Sequence, residues 1–438
     1  MRANKFANII LISGMLYFIG LLTYGCYRIA YYGSNKYYLL IVIVSSAGII
    51  VCYFALKLRP NYKINLVLMG LSTVMSVYLV EIFLFWKMPL SFDNRSLFNQ
   101  AQKMRIAFDT RTKSQVLKEL ENMGIKAVPV IKTDEKTIYP LGGISGITTV
   151  HCNESGEWII YDSDEHGFNN HKGVFASDNT NILLVGDSFA HGNCVHRTEN
   201  IAGQLQAMSG MKAINIGIEG NGPLKELASL KEYGEPLKPK YIFWLYYEEN
   251  DLSDLASEKR SSILLKYLLD DRFSQELVNK QSEIDNLLIK KLHEKMGKGG
   301  FWVEILNNTK SIFKFRQLRN RLTLFNSPPR PSSLFPKILE QARDITISWN
   351  GRLYFVYLPT WKRYATHVEH NTLYHRQEVL SIVNSLNIPI IDIHEEVFAT
   401  HPDPLSLFPF RLLAHYNAEG YRLVSQAIYQ HLQQEMVK

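Results

Sequence analysis

Four residues of this chain could between them cleave an ester. Ser188 lies in "NILLVGDSFAHGNCV" (Asn181 to Val195), directly after an apolar run and behind Gly186 and Asp187. Glycine at 186 permits a sharp turn that lifts the serine hydroxyl above a sheet edge, where it can act as a nucleophile. Such a serine also needs a base, donors for the oxyanion and a group that orients the base. Gly220 in "NIGIEGNGP" can present a backbone N–H, Asn250 in "YYEENDL" a side-chain amide, and Ser188 its own backbone N–H. His415 in "AHYNAEGYRLVSQAI" stands immediately before the last amphipathic segment and is the candidate base. For the orienting carboxylate the sequence offers Asp403, in "HPDPLSLFPF" ahead of His415, and after it Asp392.

Each residue type also has a plainer use. Gly-Asp-Ser is common, Asn-Asp usually marks a turn, and an Asp before Pro404 forms turns readily. His191, Cys194 and His196 crowd the loop after Ser188, but no second cluster stands at ligand spacing, so neither a metal nor another cofactor is expected. Tyr247 and Trp361 are aromatic residues that could line a sugar subsite or simply pack.

The weight of the four comes from their order along the chain. Buried-strand patterns occur at "ILLV" (Ile182 to Val185), "KAINIG" (Lys212 to Gly217), "YIFWLYY" (Tyr241 to Tyr247), "LYFVYL" (Leu353 to Leu358) and "IPIIDI" (Ile388 to Ile393). Helical patterns separate them at Thr198 to Met208, Leu224 to Tyr233 and Leu373 to Leu386, and Ala418 to Gln434 closes the series. Short apolar strands alternating with helices predict a parallel sheet covered on both faces. Ligands of such sheets bind at the carboxyl ends of the strands. Ser188, Gly220 and Asn250 follow the first three strands in turn.

These blocks resemble those of the SGNH (GDSL-type) hydrolase superfamily, and the likeness runs from about Asn181 to Lys438. "GDSFAHG" matches the block that gives the nucleophile, Ser188, and "NIGIEG" the block that gives an oxyanion donor, Gly220. "EEND" matches the block of Asn250, and "HYNAEGY" resembles that of the base, His415. The resemblance implies an α/β, flavodoxin-like three-layer sandwich. Two positions depart from the pattern: Glu249 replaces a Gly, and Leu412 stands three residues before His415 where an Asp is usual. "SDEHGFNN" (Ser163 to Asn170) resembles a lead-in found in membrane-anchored bacterial members and is read as a structural turn near the site.

The remaining chain reads as an anchor and a connection. Apolar runs at Phe6 to Tyr27, Tyr37 to Leu56 and Ile64 to Trp86 each meet the roughly 20 residues needed to cross a bilayer. Arg2 and Lys5, with Lys57, Arg59 and Lys63, outweigh Arg28 and Lys36 in the other loop. That bias predicts a multi-pass plasma (inner) membrane protein with a cytoplasmic N-terminus and an external domain after Trp86. Glu81 is placed to reach the membrane interface. Cys152 and Cys194 both fall in the external part, where a disulfide is allowed, and the sequence leaves their pairing open. The expected divisions are 1–88 (anchor), 89–180 (stalk and small β-rich lead-in) and 181–438 (hydrolase-like domain). A helical insertion is expected at 254–335.

Nine Lys and Arg residues between Lys290 and Arg321 face only Glu294 and Glu304, suggesting a solvated helical face or a cap that touches acidic headgroups or glycan. The net charge of +7 is modest and no basic-aromatic motif points to nucleic acid. Together with the resemblance, this predicts a membrane-tethered extracytoplasmic serine esterase acting through an acyl-enzyme on an O-acylated envelope glycan or exopolysaccharide. The same residues would serve an O-acyltransferase fed by a membrane acyl-donor protein. A non-catalytic glycan-binding protein retaining the fold is the alternative of a different class.

Overall fold

Among the residues described by the computed structural model (2–32, 36–87, 94–131, 138–176, 180–298, 312, 315, 318, 329–365 and 375–437), eight strands form two sheets. The small one joins β1 (Ala127–Pro129), β2 (Thr148–Val150) and β3 (Ile160–Asp162), with β1 parallel and β3 antiparallel to β2. The large one is wholly parallel: β4 (Ile182–Gly186), β5 (Ala213–Asn215), β6 (Tyr241–Tyr247), β7 (Arg352–Leu358) and β8 (Ile390–Asp392), in the order β5-β4-β6-β7-β8. The five strands of the large sheet fall on the five buried-strand patterns of the sequence.

Side chains alternate across the large sheet with the period of two that a strand imposes. Leu183, Val185, Ile242, Trp244, Leu353 and Phe355 enter one core with the helices Pro223–Ser229, Ser262–Leu269, Leu334–Ser348 and Arg376–Ser385. Ile182, Leu184, Phe243, Leu245, Tyr354 and Val356 enter the other, against Ile201–Ser209 and Ala418–Val437. Each buried Leu or Val contributes roughly 1.5–3 kcal/mol. The result is the expected three-layer α/β sandwich. The order places β5 and β6 on opposite sides of β4, so the chain reverses direction across the sheet at the carboxyl end of β4, the usual ligand crevice of such sheets.

The insertion is part of this sandwich over most of its described length. Leu264, Tyr267, Leu277, Ile284 and Leu288 are buried in the first core, and the helix Gln281–Lys298 belongs to that layer. Lys310, Lys314, Arg316, Arg319 and Arg321 of the basic stretch lie outside the described residues. The chain divides into two compact units, Met1–Ser91 with Phe301–Asn326, and Phe92–Gly300 with Ser327–Lys438, so the lead-in and the large sheet share one unit.

In the first unit the helices Arg2–Tyr32, Lys36–Leu56 and Pro60–Lys87 are long and apolar enough to span a membrane, with mean hydropathies of 2.0, 2.6 and 2.0 over their spans. Lys63 Nζ donates to Asn8 Oδ1 at 2.8 Å, tying the third helix to the first. Glu81 is buried within this unit and accepts the backbone N–H of Leu318 at 2.8 Å.

One glycine under the nucleophile turn is required by space. A Cβ on Gly217 would fall 2.4 Å from Ala190 Cβ and 2.9 Å from the Asp187 carbonyl oxygen. Gly217→Ala should therefore destabilise this unit by about 1–3 kcal/mol, read as a lowered midpoint of unfolding in urea.

Candidate active site

Ser188 leaves β4 as the first residue of a four-residue helix, Ser188–His191. Asp187 caps that turn by accepting the Phe189 N–H at 3.0 Å, and the Ser188 hydroxyl lies 3.3 Å from Asp187 Oδ2. Burial pushes the Asp187 carboxyl up, against hydrogen bonds from Phe189 and Asn250 that pull it down. Ser188 itself is only 5% exposed.

His415 reaches it from the opposite end of the unit. Its Nε2 lies 3.0 Å from Ser188 Oγ. The ring packs on Phe189, with centroids 5.2 Å apart, and Phe189 also touches Tyr247 and Tyr416. Behind His415, Asn417 accepts the Gly420 N–H at 2.9 Å, capping the last helix and fixing where it starts.

The acid on His415 is Glu154, from the lead-in. Its carboxylate accepts the His415 backbone N–H at 2.8 Å and lies 3.0 and 3.1 Å from Nδ1. A carboxylate only accepts, so Nδ1 carries the proton and the neutral ring offers its Nε2 lone pair to the serine. Burial would depress the His415 pKa, but the charge and hydrogen bond of Glu154, aided by Asp187 and Glu219, outweigh it and the pKa is raised.

Glu154 is held by a cross-link. Cys152 and Cys194 form a disulfide, with Cα atoms 5.4 Å apart, joining the Glu154 loop to the loop after Ser188. Ser155 adds a hydrogen bond to the Cys194 carbonyl at 3.1 Å. The bridged cysteines are 42 residues apart, and closing a loop of that size contributes about 2–4 kcal/mol. Cys152→Ser with Cys194→Ser should lose that much stability and a larger share of activity, because Glu154 loses its tether. Unfolding midpoints and ester turnover measured side by side will show both.

Asp403 and Asp392 do not meet His415. Asp403 is paired with Arg411 at the surface, and Asp392 with Arg376. Leu412, at the position where the resemblance expects an Asp, packs instead with Leu97, Ala101, Phe108 and Phe410. Glu249 is taken up by Lys362, Thr360 and the Tyr247 hydroxyl. Tyr247 thus packs and hydrogen-bonds, and the Trp361 indole N–H donates to the Arg411 carbonyl at 3.0 Å.

Gly220 adopts φ +77°, a conformation that favours glycine, in the loop that follows β5. Asn250 follows β6, and its amide donates to Asp187 Oδ2 at 3.2 Å and Asp254 Oδ2 at 2.9 Å. Its Oδ1 is buried without a protein partner among the described residues.

No protein-family model matches the chain, and no curated relative matches it either. Solved structures do. A lipase/acylhydrolase from Enterococcus faecalis is 13% identical, with 58% of this chain and 96% of that one covered and a TM-score of 0.33. An acetyl xylan esterase is 10% identical (57% and 98% covered, TM-score 0.32). A two-domain esterase active on acetylated mannans is 13% identical (60% and 52%, TM-score 0.34). What this site does follows from its own residues.

The lead-in motif "SDEHGFNN" stitches the small sheet to the large one. Asp164 accepts the N–H groups of His166 and Phe168 at 2.8 and 2.9 Å and the Asn170 amide at 2.8 Å. Asn170 pairs with the Asn215 backbone of β5 through both its amide and its oxygen, and Asn169 donates to the His191 carbonyl at 3.1 Å. The crowded cysteine and histidines after Ser188 are structural too. His191 Nε2 meets the Tyr161 hydroxyl at 2.8 Å, its ring stacks on His151 at 4.3 Å, and His196 pairs with Glu157. Glu154, Cys194 and His415 present ligand-type atoms within 4.8 Å of one another, but the Cys194 sulfur is committed to the disulfide and is not a thiolate.

Proposed function

We propose that this chain is a membrane-tethered serine esterase of the SGNH superfamily, acting outside the cytoplasm on an O-acylated glycan. The observation that carries the reading is the line Ser188 Oγ, His415 Nε2, His415 Nδ1, Glu154, with both gaps at 3.0 Å. His415 takes the serine proton as Oγ attacks the ester carbonyl, and the imidazolium so formed is stabilised by Glu154. The backbone N–H groups of Ser188 and Gly220 face the oxyanion, and the Asn250 amide turns one hydrogen from its carboxylate partners toward it. His415 then protonates the leaving sugar oxygen, and water, deprotonated by the same ring, releases the acid from the acyl-enzyme.

The disulfide supports an oxidising compartment for the catalytic unit, and the cation-rich ends of the first and third spans support a cytoplasmic N-terminus. The glycan substrate is favoured by the membrane tether, which holds the site near the envelope, and by a cleft beside Gly220 lined mainly by charged and hydroxyl-bearing residues. Release of acetate from an acetylated polysaccharide by the purified full chain in detergent tests the reading, with His415→Ala as the control. Turnover that persists in that variant contradicts it.

A further inference from the structure

We propose, resting on the esterase reading above, that the cleft beside Gly220 binds a carboxylate carried by the substrate, recognised by Arg260. The cleft has a volume of about 560 Å³ and is lined by Tyr139, Gly220, Lys225, Arg260 and the hydroxyl-bearing Ser257 and Ser262, together with two acids. That volume suits a sugar residue with its substituents. Gly220 belongs both to the cleft wall and to the proposed oxyanion site. Asp254, another wall residue, holds the Asn250 amide. A group seated here therefore lies next to the ester under attack.

The charge of the cleft decides what it takes. Glu258 is spoken for: its carboxylate accepts the N–H groups of Gly222, Leu224 and Lys225 at 2.6, 3.0 and 3.4 Å. Lys225 Nζ sits 3.9 Å from the same carboxylate and 3.3 Å from the Gly220 carbonyl oxygen. Asp254 is occupied by Asn250, and burial pushes its pKa up to about 7, so near neutral pH it carries only part of a charge. Arg260 is exposed, and its side chain makes no hydrogen bond or ion pair among the described residues. The uncommitted charge of the cleft is thus a guanidinium, whose planar fork fits a carboxylate with two parallel hydrogen bonds. Hydroxyls on the same wall suit the polar groups of a sugar.

The carboxylate has two possible carriers, a uronic acid next to the acylated sugar or a dicarboxylic acyl group such as succinyl. Three esters separate them: an acetylated oligogalacturonide, an acetylated xylo-oligosaccharide and a succinylated xylo-oligosaccharide, hydrolysed by the full chain in detergent. The expected result is a higher kcat/KM for one charged ester than for the neutral one. Arg260→Ala should reduce that preference about tenfold, the worth of one charge-assisted hydrogen bond, and Arg260→Glu should reverse it. Dependence on Arg260 with the oligogalacturonide alone assigns the charge to the sugar, and with the succinyl ester alone to the acyl group.

Equal rates on all three esters, unmoved by either variant, overturn the inference and leave the esterase reading standing. If no ester is hydrolysed, the esterase reading fails. The cleft is then judged by calorimetry on the Ser188→Ala chain with unacetylated oligogalacturonide and with succinate. Binding of either that Arg260→Glu abolishes supports the inference; no binding of either at millimolar concentration overturns it.

Discussion

Ser188→Ala is expected to lower kcat for ester hydrolysis by about 10⁶-fold, down to the residual rate that oxyanion donors and substrate positioning provide alone. The hydroxyl stands at the end of β4, 3.0 Å from His415 Nε2. The substitution removes one atom from a site whose walls, Phe189, Asp187 and Gly217, stay in place, so the fold should not respond. His415→Ala is expected to lose nearly as much. The double variant should lose little more, because the two residues make one nucleophile and cannot fail twice. Additive losses would mean that the serine and the histidine act separately.

Glu154→Gln is expected to lower kcat/KM by about 10²–10⁴-fold and to move the pH profile. The glutamine keeps the shape but removes the charge that favours the imidazolium, and its amide can turn an N–H toward Nδ1 and stabilise the wrong tautomer. The raised pKa of His415 sets the sign of the pH effect. The histidine is a base only when deprotonated, so activity should rise with pH through a midpoint above the ordinary histidine value. Without the Glu154 charge, burial dominates, and the midpoint should shift to lower pH even as the plateau falls. Asp403→Asn, which touches only the surface pair with Arg411, should leave both rate and profile close to wild type. The reverse pattern would return the orienting role to Asp403.

The large sheet was legible because its strands are buried on both faces and so read as continuous apolar runs bounded by Gly, Asn and Asp. The Ser188–His415 pair was legible because one residue sits at the end of such a run and the other just before a helix. Glu154 was not. It lies 261 residues from His415, in "HCNESGEW", a turn with no strand or helix pattern to give it a place. The usable signal was Cys152, two residues earlier: pairing it with Cys194 brings the turn beside the nucleophile loop. The more local solution, a carboxylate three residues before a catalytic histidine, points to the segment ahead of His415 instead. Leu412 had given up that position to pack against the helix Asn94–Met104. The insertion combines two patterns. Its helices carry many lysines, yet their apolar stripes, with Leu264, Tyr267, Ile284 and Leu288, belong to the main core.

The most direct test of the central claim is covalent capture. The full chain in detergent is treated with a fluorophosphonate, digested, and the adduct located by mass spectrometry. A single phosphonylated residue at Ser188, with labelling lost in His415→Ala and slowed in Glu154→Gln, is the predicted result. A folded chain that is not labelled at Ser188, or is labelled there equally well without His415, would contradict the account.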